Sequence, residues 1–401
     1  MAMPRPASSM RLVQLLAATV AALAAGVLAA AAFAAPPHVT DTPMGGTVFG
    51  AKCAARRSVA AKARCYEAVL LTDIEASHNP ARELPNLDAE TRAAGGFIAG
   101  ACHGLMHAVG RAYAVRHHVT LATLQRYLPK SNDPGCSAGF GHGLIMALGP
   151  QIVKIGPHGV LRTCRHLATR MEQYSCVHGL GHAYMRVYGE YLRYALPACL
   201  ALGAKAAPDC AQGAFHDYWI TASGRDATKQ HPGLVTSARV LCGAYKRRTF
   251  VLACWYRYYI ERPPAKGVEL PADIERLCTR LHDVQRAGCV AAASLNAATA
   301  DPFALAGLCR GLHGNDAVSC LRAVPVEEVS RFATEQLSLI RTCARLRGHV
   351  RTSCDRWFGK TLTVVTNGAF RTKCRRLRSI ADRRACTLGA RSFGGPLVTF
   401  A

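Results

Sequence analysis

The chain has 401 residues, half of them hydrophobic, 7% aromatic and 18% charged. That is enough apolar material to bury a core, and its Ala-rich character points to helices. Two features depart from the average, 18 cysteines and a formal charge of +24; together with the N-terminus they exclude an ordinary cytosolic enzyme.

Residues 1–34 have the pattern of an export signal. Arg5 and Arg11 give a positive start, and Leu12 to Ala31 is apolar apart from Gln14 and Thr19. Ala32-Phe33-Ala34 then offers a small-x-small cleavage site before Ala35-Pro36-Pro37. The expectation is an exported protein, periplasmic or secreted. The alternative is a protein tethered by an uncleaved anchor, since ~20 apolar residues also span a bilayer. No cysteine follows closely enough to carry a lipid, and nothing after residue 40 approaches a second span. Residues 35–94 read as a linker and a first repeat.

The cysteines carry a period. They are Cys53, Cys65, Cys102, Cys136, Cys164, Cys176, Cys199, Cys210, Cys242, Cys254, Cys278, Cys289, Cys309, Cys320, Cys343, Cys354, Cys374 and Cys386. Taken as successive pairs, eight of nine have ten or eleven residues between the partners, and from Cys164 the first member recurs every 31 to 43 residues. A fixed period in that range means a repeat array. Three residues after each first cysteine from Cys164 onward stands Leu167, Leu202, Tyr245, Leu281, Leu312, Leu346 or Leu377. Within one helix, cysteines so spaced lie ~16 Å apart, against the ~5.5 Å a disulfide requires. A turn between them brings two antiparallel helices together, and Gly203, His313-Gly314-Asn315-Asp316 and Gly348 supply turn residues midway. Between Arg375 and Ala385 no breaker is visible. Strand signals are scarce, apart from short β-branched runs such as Leu362 to Thr366.

The fold class is therefore all-α, an αα-hairpin repeat array (a solenoid) of about nine disulfide-stapled units. Each short closed loop contributes ~2–3 kcal/mol by restricting the unfolded chain, which suits repeats too small to bury a core alone. Cys102 and Cys136 stand outside the rule; both are flanked like the second cysteine of a pair, and they are expected to bond to each other across neighbouring repeats. Metal binding by cysteine is disfavoured because Cys-x-x-Cys is absent. In outline this array resembles the secreted cysteine-rich relatives of the tetratricopeptide repeat proteins. The resemblance implies architecture alone, because that family spaces its cysteines more closely and carries a Leu-Gly and aromatic signature missing here.

Four histidines recur in register, in Gly104-Leu-Met-His107, Gly139-Phe-Gly-His142, Gly179-Leu-Gly-His182 and Gly213-Ala-Phe-His216. The same register in the other repeats holds Leu71, Ile260, Leu295, Val326, Lys360 and Ser392. The histidines thus mark one segment, residues 95–225, as a candidate metal site, and leave 226–401 as basic C-terminal repeats. His103 precedes His107, and His178 precedes His182, by one helical turn, so each pair shares a helix face ~6 Å apart and can ligate one ion. With neighbouring helices ~9–10 Å apart, the reach of a side chain suggests two clusters of three: His103, His107 and His142, then His178, His182 and His216. Imidazole donors suit zinc, copper or iron, six of them suit a dinuclear centre, and nickel is also within their range. They also serve a non-covalent haem, whereas covalent haem lacks its Cys-x-x-Cys-His. The competing structural reading makes these histidines buried hydrogen-bonders in tight helix contacts, and a third gives them acid/base work without metal.

Other signals are weaker. Asp217 reads chiefly as an exposed helix-face carboxylate, with a ligand or orienting role second; Tyr218 and Trp219 read as core, and His117, His118, His158, His166 and His231 as surface. His-Glu-x-x-His, Gly-x-Ser-x-Gly and Gly-x-Gly-x-x-Gly are absent, and Gly359-Lys360-Thr361 lacks the leading glycine of a phosphate loop. Residues 341–401 hold 14 Lys and Arg against Asp355 and Asp382, with Arg375, Arg376, Arg378, Arg383 and Arg384 clustered. Such a face attracts an acidic protein, an acidic glycan or an anionic membrane surface; nucleic acid ranks below these because no recognition motif is present. Two functional readings remain open. One is an exported metal-binding array, either a redox or hydroxylase-like centre or a metal carrier; the other is a protein-interaction scaffold with structural histidines.

Overall fold

The computed structural model describes residues 51–391 except 78, 95, 130–135, 223–233, 262–269, 298–307, 310, 323–342, 345 and 366–370. The expected signal peptide, His231, Val326 and Ser392 lie outside the described residues. The chain divides at Pro43, and the described residues belong to the unit from Met44 onward.

Every regular element among the described residues is helical. The first are α1 (Ala51–Ala54), α2 (Val59–Ala76), α3 (Pro80–Ala94), α4 (Gly96–Arg116) and α5 (Cys136–Ala147). Then follow α6 (Gly149–Arg165), α7 (Arg170–Val187), α8 (Leu192–Ala201), α9 (Ala207–Ala222), α10 (Ala238–Gly243) and α11 (Arg248–Glu261). The C-terminal part contains α12 (Pro271–Cys278), α13 (Asp283–Ala297), α14 (Gly314–Arg322), α15 (Gly348–Val365), α16 (Arg371–Cys374) and α17 (Ile380–Arg391). The β-branched run from Leu362 is the end of α15, where packing overrides strand propensity. Gly359-Lys360-Thr361 also lies inside α15, so no phosphate loop forms there.

Local chemistry sets the helix starts. Ser58 accepts the Ala61 N–H at 3.1 Å to open α2. Thr169 and Glu172 exchange hydrogen bonds in a capping box that opens α7. Ser379 accepts the Asp382 N–H at 3.0 Å, which starts α17 where no breaker is visible in the sequence. The turns between paired cysteines use Gly203, Gly314 and Gly348 with φ of +89°, +50° and +55°, a region that a side chain disfavours. Asp88 of α3, itself buried, accepts the Ser137 N–H at 3.0 Å and fixes the N-terminus of α5.

Nine disulfides hold the array, with Cα separations of 5.1 to 5.9 Å, and no cysteine is free. In most of them a short helix carries the first cysteine and a longer one the second, as in α8–α9 (Cys199–Cys210) and α10–α11 (Cys242–Cys254). Helices α2, α4, α5, α7, α9, α11, α13, α14, α15 and α17 stack side by side in that order, and the others pack beside this row. Cys102–Cys136 is the exception because both partners sit in the row, joining α4 directly to α5. One continuous apolar core runs along the array from Cys53 to Cys386. The row also curls: α15 comes back to touch α7. No single described helix is long and apolar enough to cross a membrane.

Candidate metal centre

Glycines bring the histidine helices together. A side chain at Gly139 would run into the His103 carbonyl oxygen, one at Gly143 into that of His107, and one at Gly110 into that of Phe140. Helices α4 and α5 therefore meet backbone to backbone. Helices α7 and α9 repeat the arrangement, with Gly213 against the His178 carbonyl and Gly181 against that of Cys210. The glycine three residues before each histidine does not have one job throughout. Gly139 and Gly213 make these backbone contacts, Gly179 faces the Ile145 side chain, and Gly104 has open space around it.

Close approach of this kind curves the row more sharply than ordinary helix spacing allows, and this corrects the expected division into two separate clusters. All six predicted histidines converge on one centre. The His103 ring lies 5.2 Å from His142 and 5.2 Å from His216, although α4 and α9 are three steps apart in the row. His107 lies 4.6 Å from His182, and His142 bridges the halves at 4.9 Å from His178 and 5.3 Å from His182. Three sets have ligand atoms within 4.8 Å of one another: His103, His107 and His142; His142, His178 and His182; and His107, His182 and Asp217. His216 stands outside these sets, though its ring is 5.1 Å from His182. His103 is half-buried and the other five are buried, His182 completely.

Two carboxylates lie at the centre. Asp217 is not on an exposed helix face; it is buried, with Oδ1 3.1 Å from His182 Nδ1. Glu261, at the end of α11, is also buried and places Oε1 3.1 Å from His216 Nε2. One turn earlier on α11, the Arg257 guanidinium comes within 3.5 Å of His178 Nε2. The Ser175 hydroxyl stands 3.1 Å from His142 Nε2. Glu261 and Arg257 were invisible to a register-based reading because they belong to the repeat after the histidine segment. Their sequence signal was slight: two charged residues four apart on a helix otherwise dense in buried aromatic and aliphatic residues.

Burial holds His142, His178 and His216 well below the usual imidazole range, so each ring is neutral at pH 7. After burial, the Arg257 charge is the largest further cause at His178 and His216, and His103 at His142. Neutral imidazole is the ligating form. His142 Nδ1 and His178 Nδ1 are buried with no hydrogen-bond partner. Of the remaining histidines, His117, His118, His158 and His166 are exposed, while Tyr218 and Trp219 are core. The Trp219 indole donates to the Cys254 carbonyl at 3.1 Å.

No family model, curated protein or solved structure shows a significant match to the chain. What fold and site define together is a disulfide-stapled, all-α repeat array with a buried histidine centre whose donors lie within metal-binding distance.

Proposed function

We propose that this chain is an exported helical-repeat protein whose segment 95–225 binds a first-row transition-metal ion, zinc, copper or iron, through His103, His107, His142, His178, His182 and His216. The observation that carries the reading is the convergence of six imidazoles from four helices on one buried centre, with ring nitrogens of His142 and His178 left unpartnered. A buried polar atom without a partner costs about 1–3 kcal/mol, and histidines serving only as hydrogen-bonders would have found acceptors. The donor set fits an ion. Asp217 engages His182 Nδ1 and Glu261 engages His216 Nε2, which orients both rings, and His216 Nδ1 stands 3.5 Å from His178 Nε2. When bound, such an ion supplies Lewis acidity or, for copper or iron, one-electron chemistry.

Export is supported by the N-terminal pattern of residues 1–34 and by nine intramolecular disulfides, which suit an oxidising compartment. The test is elemental analysis by mass spectrometry of protein purified from the export compartment. Wild type is expected to carry metal, His107→Ala and His182→Ala to lose it with helical circular dichroism retained, and exposed His158→Ala to keep it. If wild type takes up no metal under any loading condition while the first two variants lower the melting temperature, the histidines are structural and the scaffold reading replaces this one.

A further inference from the structure

Arg257 is a cation placed against a centre built to hold cations. Its guanidinium lies 3.5 Å from His178 Nε2, and its Nε is buried with no hydrogen-bond partner. Its Cζ lies 5.5 Å from the Tyr256 ring, and its charge also acts on His142 and His216. Among the described residues no carboxylate pairs with it. Of the two acidic groups at the centre, Asp217 engages His182 and Glu261 engages His216.

The charges then do not balance. One divalent ion and Arg257 bring three positive charges against two from Asp217 and Glu261, which leaves a surplus of one; each further ion enlarges it. Arg257 is half-buried with its Nε fully so, and charge held away from water without compensation is costly enough that proteins pair it or neutralise it. Arg257 cannot neutralise itself, since arginine stays protonated in proteins. Arginine is also the side chain whose planar fork matches a carboxylate or oxyanion.

We propose that the centre takes a small monoanionic ligand, a carboxylate or oxyanion, shared between the bound metal ion and the Arg257 guanidinium. This rests on the metal reading above and names the class of molecule the site accepts. It also gives α11 a role: that helix lies outside the histidine segment and supplies the charge that selects the ligand.

The experiment uses the full chain loaded with cobalt(II), whose visible bands report its ligands, and acetate as the probe. Acetate is expected to shift the bands of wild type saturably, and acetamide, its uncharged counterpart, to leave them unchanged. Arg257→Gln should keep its cobalt content and helical circular dichroism yet bind acetate about ten- to a hundredfold more weakly, the scale of one lost charged hydrogen bond. Arg257→Lys, which keeps the charge, should recover part of that loss. Cobalt-loaded wild type that ignores acetate, or that responds equally to acetamide, overturns the anion proposal and leaves the metal reading standing. So does an Arg257→Gln variant with wild-type acetate affinity. Failure of wild type to take up cobalt overturns both.

Discussion

Gly104 and Gly213 occupy the same place in the same motif, three residues before a histidine, yet the structure assigns them opposite responses to one added methyl group. A Cβ at Gly104 meets nothing within 4 Å. There, replacing glycine inside a helix by alanine should stabilise by about 0.5–1 kcal/mol, because alanine loses less backbone freedom on folding. A Cβ at Gly213 would overlap the His178 carbonyl oxygen and come to 3.3 Å from the Gly181 Cα. Both obstacles are backbone, so no side chain can swing aside and α9 must move away from α7. Overpacking of this kind costs about 1–3 kcal/mol, so the two variants should differ by about 1.5–4 kcal/mol. The displacement also carries His216 away from His178 and His182, whose rings now lie 5.7 and 5.1 Å from it. Guanidinium unfolding with the disulfides intact, alongside cobalt titration, reads both effects. Gly104→Ala should raise the midpoint and leave metal affinity alone, while Gly213→Ala should lower both. If the two variants shift stability in the same direction, the close helix contact invoked to explain the single centre is wrong.

Two further outcomes can be checked away from the centre. Asp355 is buried beside Asp382, and burial, then that neighbour's charge, pushes its carboxyl up to about 7. A raised folded-state value means the fold favours the protonated acid, so this contribution is full below the ordinary value of 3.8 and is lost as pH rises towards 7. Asp355→Asn should therefore gain stability relative to wild type across that window; a difference between them that does not change with pH would refute the assignment. On the surface, Arg375, Arg376, Arg378 and Arg384 are exposed, whereas Arg383 turns inward to donate to the carbonyls of Leu377 and Arg378, both at 3.0 Å. Binding to anionic lipid vesicles should fall steeply between low and physiological salt and weaken on neutralising the four exposed arginines. Retention that ignores salt would exclude this face as the docking surface.

The hairpin array was legible in the sequence because a disulfide is a distance constraint, and a spacing of eleven or twelve residues meets it only if the chain turns back. Turn glycines such as Gly203 and Gly314 carried the same message. Curvature was not legible. It depends on which face of each helix presents a Cα without a side chain, and Gly104 and Gly139 are indistinguishable in sequence although only the second touches a carbonyl. Ordinary helix spacing consequently split the histidines into two groups, where the structure gathers them into one. Asp217 was misplaced for a related reason: with α9 drawn against α7, the position after His216 faces His182 instead of solvent.

One signal in the sequence bears on why these histidines are where they are. His103-Gly-Leu-Met-His107 on α4 and His178-Gly-Leu-Gly-His182 on α7 are the same pattern, and each is followed by a Cys-x-x-Gly-x-x-His helix, α5 with His142 and α9 with His216. The segment is thus a two-helix unit present twice. The copies are not stapled alike. In the first, Cys102 and Cys136 bond its two helices to each other; in the second, Cys176 and Cys210 bond outward, to Cys164 on α6 and Cys199 on α8. Two different covalent frames deliver the same histidine positions, and the same glycine-to-carbonyl contact, Gly139 on His103 and Gly213 on His178. Were the histidines by-products of the scaffold, a change of scaffold would be free to move them. Both copies instead hold the rings facing a shared centre, and α11 closes the side next to α9 with Glu261 and Arg257. Two covalent frames thus place the imidazoles around one centre, which is the arrangement the proposed metal site requires.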